Sequence, residues 1–142
     1  MSTTGPLAGV RVLEIGQLIA GPYCGQLLGD FGADVIKVES PRAGDPMRNW
    51  GVVIDGRSLS WAVIGRNKRS ITLDLRTPEG IEVARSLAAQ ADVLVENFRP
   101  GTLERLGLGW DELHRLNPGL VLVRISGFGQ DGPYARRAGF GS

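Results

Sequence analysis

Cationic and amide side chains gather in a few short stretches of this chain. One is Asn67-Lys68-Arg69, leading into the apolar run at 70–75, with Arg66 before it and Arg76 directly after. The other is Val93-Leu94-Val95-Glu96-Asn97-Phe98-Arg99-Pro100-Gly101, with Arg105 following. Guanidinium forks match phosphate oxygens, so this clustering points to a phosphate-bearing ligand. Taken singly, each charge reads as a solvated residue at a strand end. Taken together, Leu73, Asp74, Leu75 and Arg76 join Asn97, Phe98 and Arg99 behind two strand-like runs, where an open α/β sheet keeps its ligand crevice. Such donors suit a phosphorylated adenosine.

Alternating strands and helices must position these groups. Residues 10–15 read as a first strand bounded by Gly9 and Gly16. A helix follows from about Pro22, with Tyr23, Leu27, Leu28 and Phe31 as its apolar stripe and Gly32 as its stop. Residues 35–39 form a second strand and 40–46 a polar loop, with a short helix expected over 59–64. The third strand covers 70–75. Thr77-Pro78-Glu79 then opens a helix with a good cap and a proline in its first turn, continued by Ile81, Ala84, Leu87 and Ala88. Residues 93–95 and 121–125 are the fourth and fifth strands, separated by helical pieces around Leu103 and over 110–116. This alternation implies right-handed crossovers and an α/β fold with a mostly parallel sheet and flanking helices. A glycine-rich loop at 127–133 follows the last strand. The chain stops at Ser142 with no closing helix, so a carboxyl-terminal truncation is expected.

The first strand-to-helix turn, Gly16-Gln17-Leu18-Ile19-Ala20-Gly21-Pro22, holds neither a dinucleotide fingerprint nor a P-loop. It still offers backbone N–H groups at a helix start, a suitable place for a pyrophosphate or carboxylate. His114, the one histidine, reads as a surface residue, and Cys24, the one cysteine, as a small buried hydrophobe. No cluster has metal-ligand spacing, and no Gly-x-Ser-x-Gly elbow is present. The aspartates are scattered, with no pair poised for general acid–base work. The residues by themselves give an anion-binding crevice without a complete catalytic apparatus.

Composition narrows the field. The 142 residues are one domain's worth of chain. A net charge of +1 gives no broad electrostatic case for nucleic acid or an anionic membrane, so any anion recognition has to be local. One cysteine cannot build a disulfide framework and points to a reducing cytoplasm. No apolar run approaches the roughly 20 residues that span a bilayer.

Ordered blocks along the chain carry a resemblance. They are Pro6-Leu7-Ala8-Gly9-Val10, Ala20-Gly21-Pro22, Gly29-Asp30-Phe31-Gly32-Ala33-Asp34, Gly44-Asp45-Pro46-Met47-Arg48, Asn67-Lys68-Arg69-Ser70, Glu96-Asn97-Phe98-Arg99-Pro100-Gly101, Arg105-Leu106-Gly107 and Gly127-Phe128-Gly129-Gln130-Asp131-Gly132-Pro133-Tyr134. In these the chain resembles the amino-terminal part of the class III CoA-transferases. The resemblance implies a Rossmann-like large domain within a larger fold, in a homodimer of interlinked ring-shaped subunits. It implies acyl-CoA and a free carboxylic acid as substrates, with CoA as substrate rather than resident cofactor. Ile19 and Ala20 would contact CoA through the first turn. Leu73 to Arg76 and Asn97 to Arg99 would line the nucleotide site, and Arg105 and one of Arg136 or Arg137 (Arg137 the first choice) would add charge. Some members carry an arginine just after the second strand; here Ser40 stands there, with Arg42 as the candidate substitute. Catalysis in the family rests on an aspartate that forms an anhydride and then a CoA thioester, and its place is expected beyond this chain. An α-methylacyl-CoA racemase is the nearest alternative. Racemases place a histidine and an aspartate after the equivalent of Gly139, where this chain has Phe140 and Gly141. A non-catalytic CoA- or nucleotide-binding unit is the alternative from another class.

Overall fold

The computed structural model describes residues 4–139. Its centre is a five-stranded parallel sheet of β1 (Arg11–Glu14), β2 (Asp34–Glu39), β5 (Lys68–Thr72), β6 (Val93–Glu96) and β7 (Val121–Arg124). The spatial order is β5-β2-β1-β6-β7. Strand order therefore reverses between β1 and β6, and the carboxyl ends of those two strands form the switch point where open α/β sheets bind ligands.

Two cores sandwich the sheet, and strand alternation decides which side chain enters which. Leu13, Ile15, Val38 and Leu94 face α3 (Pro78–Ala88), α4 (Thr102–Arg105) and α5 (Trp110–Leu116), meeting Ala84, Ala88, Leu103 and Leu113. Val12, Val35 and Val95 face the other way, toward Cys24 and Leu28 of α1 (Ala20–Asp30). The start of α3 follows local chemistry, with Thr77 Oγ1 accepting from Gly80 N–H at 3.1 Å and Pro78 in the first turn.

The structure corrects the expected packing of α1. Tyr23, Leu27 and Phe31 keep helical spacing but are exposed, and only Leu28 of that set turns inward. The buried face instead carries Gly21, Gly25 and Gly29 at intervals of four. A Cβ at Gly25 would collide with Glu14 Oε2, and one at Gly29 would press on the Asn67 carbonyl at 3.1 Å. Glycine is needed here because the helix backbone lies almost directly on the Glu14 carboxylate and the Asn67 backbone.

Two further elements sit between β2 and β5. A 3-10 turn at Pro46–Asn49 is capped by Asp45, and a small hairpin pairs β3 (Val53–Ile54) with β4 (Arg57–Ser58) ahead of α2 (Leu59–Ile64). The hairpin turn is Asp55-Gly56, both at positive φ (49° and 73°), the conformation of a two-residue type I′ connection. The third central strand begins two residues before its expected start and ends at Thr72, leaving Leu73, Asp74 and Leu75 in the following loop. Among the described residues no helix is long and apolar enough to cross a membrane.

Candidate functional site: a crevice at the carboxyl edge of the sheet

The turn between β1 and α1 stands at the switch point, and side chains from elsewhere fix its backbone. Asn97, in the loop after β6, accepts from Gln17 N–H at 2.7 Å and donates to Gln17 C=O at 2.9 Å. Gly16 and Gly21 enclose that amide, since a Cβ at either would lie 2.6 or 2.9 Å from Asn97 Oδ1. Beneath the turn lies a buried ion network. Register sets Glu14 beside Lys37, and Lys37 Nζ reaches Glu14 at 3.2 Å, Asp45 at 3.0 Å and Gly16 C=O at 2.5 Å. Lys68 closes the other side of Glu14 at 2.8 Å. Burial pushes the Lys68 ammonium pKa down, against the pull of Glu14. Of these four charges only Lys68 stood out in the sequence, there as a cation for a phosphate rather than as the partner of a buried carboxylate. The signal available was a charged residue inside an otherwise apolar strand, at Glu14 and Lys37.

The other two inner strands also end in glutamate. Glu39 accepts two bonds from Arg48, at 2.6 and 2.7 Å, one from Asp45 N–H at 2.8 Å and one from Ser70 Oγ. Burial alone would raise its pKa, but these donors outweigh burial and hold it at about 2. Glu96 accepts from Arg124 and from Phe98 N–H, which fixes how the chain leaves β6.

Above this base the carboxyl edge carries three adjoining cavities. The first, about 390 Å³, lies between Ala20, Asn97, Phe98, Arg99, Ser126 and Arg137. Phe98 separates it from a second, about 300 Å³, walled by Gln17, Ser40, Leu73, Asp74, Leu75 and Arg76. Leu75, Arg76 and Leu106 lead on to a third, about 350 Å³, which Arg105 borders. Of the residues the resemblance assigned to CoA, Ala20, 73–76, 97–99, Arg105 and Arg137 line one continuous edge, while Ile19 caps α1 from an exposed position outside these walls. Gly127 and Gly139 close the glycine-rich loop behind the first cavity, packed back to back too tightly for a Cβ on either.

The cations of this edge differ in how free they are. Arg99 has no ion pair or side-chain hydrogen bond among the described residues, while Arg105 bonds only Thr102 Oγ1 at 2.8 Å and Arg137 lies 4.3 Å over the Tyr134 ring. Arg76 grips Asp74 with two bonds, at 2.8 and 2.7 Å, and that hydrogen-bonded guanidinium holds the Asp74 carboxyl at about 2. Arg42 is near enough to Asp74 to contribute to the same lowering. Asn97 lines the first cavity, but its amide is already engaged with Gln17.

The Arg66–Arg69 stretch is not part of this edge. It lies at the amino end of β5, where Arg66 and Asn67 bond Asp30, Arg69 pairs with Asp34, and Lys68 points inward to Glu14. A cavity of about 590 Å³, larger than any of the three above, is at this opposite edge, bordered by these neutralised pairs. His114 stacks on exposed Trp110 at the surface, 4.9 Å between ring centroids. Among the described residues no group of three His, Cys, Asp or Glu side chains could hold a metal. Phe140 and Gly141, on which the racemase comparison turned, lie outside the described residues.

Comparison with known proteins gives the family. The CoA-transferase family III model matches residues 7–142. The chain belongs to CoA-transferase family III. It is 64% identical over 138 residues to succinyl-CoA–D-citramalate CoA-transferase of Chloroflexus aurantiacus, covering 96% of this chain and 34% of that protein. Succinate–glutarate CoA-transferase of Agrobacterium fabrum is 49% identical, with 95% and 36% covered. Among solved structures, a CAIB/BAIF family protein from Brucella suis superposes with a TM-score of 0.89 at 48% identity, covering 96% of this chain and 37% of that one. The chain thus spans about a third of the length of the family III relatives it matches.

Proposed function

We propose that this chain supplies the CoA-binding part of a transferase that moves CoA between an acyl-CoA and a free carboxylic acid. The observation that carries this reading is the carboxyl-edge crevice, where exposed Arg99, Arg105 and Arg137 have no carboxylate partner among the described residues. CoA brings the complement they need: a 3′-phosphorylated adenosine and a pyrophosphate, whose charges are best met by arginine and by N–H groups at a helix start. Succinyl-CoA or succinate stands in the names of those relatives, which supports a short dicarboxylic acyl group as the donor class.

In this reading the chemistry belongs to an aspartate outside these 142 residues. Its carboxylate attacks the thioester carbonyl and expels CoA thiolate, leaving an acyl–aspartyl anhydride. The thiolate attacks the aspartyl carbonyl and releases the acid, giving an aspartyl thioester. The acceptor carboxylate attacks that thioester and expels the thiolate, forming a second anhydride; the thiolate then attacks its acceptor-side carbonyl, giving the new acyl-CoA and releasing the aspartate carboxylate. Nucleophilic catalysis of this kind splits one hard step into easier ones. This chain's part is to hold the nucleotide so that the thiol end stays in register through each exchange. A homodimer in the cytoplasm completes the proposal, supported by the uncovered stripe of Tyr23, Leu27 and Phe31 and by the lone thiol of Cys24.

Mass spectrometry of the full-length protein mixed with succinyl-CoA tests the reading. An aspartyl–CoA adduct trapped during turnover is the expected result. Turnover with no covalent intermediate would remove the aspartyl mechanism, and absence of any CoA binding would remove the reading itself.

A further inference from the structure

We propose that Lys37 and Asp45 are positioning residues for the turn between β1 and α1, shaping its backbone from beneath without touching the ligand. The proposal rests on the CoA-binding reading above. Three consecutive residues of the turn are each held by a side chain distant in sequence: Gly16 by Lys37, Gln17 by Asn97 and Leu18 by Asp45. Leu18 has φ 68°, a left-handed conformation that an L-residue rarely adopts and that needs outside restraint. The restraint is its N–H, which donates to both oxygens of the Asp45 carboxylate at 3.2 Å. Lys37 holds Asp45 at 3.0 Å, and both side chains are fully enclosed, at 1% and 0% exposure.

Stability alone does not explain this pair. A buried ion pair carries a desolvation cost that an apolar pair of similar size avoids, often without loss of stability. An apolar pair could not donate to the Gly16 carbonyl or accept from Leu18 N–H. The specific effect of the ions is therefore on the shape of residues 16–18. Directly after them come the N–H groups of Ile19, Ala20 and Gly21, which have no intrahelical partner at the start of α1. The pair also leaves the network neutral, since Glu14 and Asp45 balance Lys37 and Lys68.

That neutrality suggests the test. In the full-length protein, Lys37→Met combined with Asp45→Ser removes one charge of each sign and leaves Glu14–Lys68 intact. Serine still caps the turn at 46–49 but is too short to reach Leu18. The double variant should bind CoA about ten- to hundredfold more weakly by calorimetry, as expected for losing charge-assisted bonds. Its Leu18 amide should exchange faster with solvent hydrogen in the absence of any ligand. Asp45→Asn, whose amide oxygen still accepts from Leu18, should stay close to wild-type affinity. A folded double variant with unchanged CoA affinity overturns the proposal. If the double variant does not fold, Asp45→Ser against Asp45→Asn decides, and equal affinities overturn it. A wild-type protein that binds no CoA would sink the CoA reading and this proposal together, which is distinguishable from binding that ignores Lys37 and Asp45.

Discussion

The two edges of the parallel sheet both carry arginines and use them differently. At the amino edge Arg11, Arg66 and Arg69 each meet an aspartate, respectively Asp92, Asp30 and Asp34. At the carboxyl edge Arg48 pairs with Glu39, Arg124 with Glu96 and Glu104, and Arg76 with its neighbour Asp74, but among the described residues Arg99, Arg105 and Arg137 meet no carboxylate. The larger cavity lies at the amino edge, yet its charges are spent on one another. What separates a binding edge from a structural one is therefore whether it keeps cations that are not already neutralised, not how much space lies beside them.

Perturbing each edge in turn sharpens this contrast. The largest effect should come from Lys68, an amino-edge cation turned into the core. Lys68→Met leaves Glu14 with less compensation, and unfolding by denaturant should show a loss of about 3–5 kcal/mol. Next is Glu39, whose folded pKa of about 2 lies below its ordinary 4.5. A depressed carboxylate adds stability that is complete above the unfolded value and disappears as pH falls from about 4.5 toward 2. Melting curves across that window should show a loss of roughly 3 kcal/mol that Glu39→Gln, already less stable at neutral pH, largely lacks. Replacing both Arg99 and Arg137 by alanine should weaken CoA binding about ten- to hundredfold while shifting stability by less than about 0.5 kcal/mol. The smallest effect belongs to the exposed pair Arg69–Asp34, where Arg69→Ala should cost about 0–1 kcal/mol and leave CoA affinity unchanged.

Much of this was readable from the chain, and the failures have physical causes. Short apolar, β-branched runs located every central strand to within three residues at either end, and Thr77-Pro78 located the start of α3. The stretches at 73–76 and 97–99 fell on one edge because both follow strands of a parallel sheet. The 66–69 stretch precedes its strand, so the same directional rule assigns it to the other edge; its aspartate partners lie more than thirty residues away, beyond the reach of local spacing. The packing face of α1 was misread because apolar periodicity was weighed and glycine periodicity was not. Gly21, Gly25 and Gly29 mark the side where the backbone must come close, leaving Tyr23, Leu27 and Phe31 outward. The hairpin was missed although Asp55-Gly56 between Val53-Ile54 and Arg57-Ser58 is a strong two-residue turn signal. The ion network under the first turn depends on β1–β2 register and on Asp45 folding back, which only the assembled sheet reveals.

Calorimetric titration of CoA into two triple-alanine variants of the full-length protein addresses the contrast between the edges most directly. Replacing Arg76, Arg99 and Arg105 should abolish or severely weaken binding, whereas replacing Arg11, Arg66 and Arg69 should leave the affinity of the folded protein intact. Equal affinities in the two variants, or a greater loss from the amino-edge set, would contradict the account.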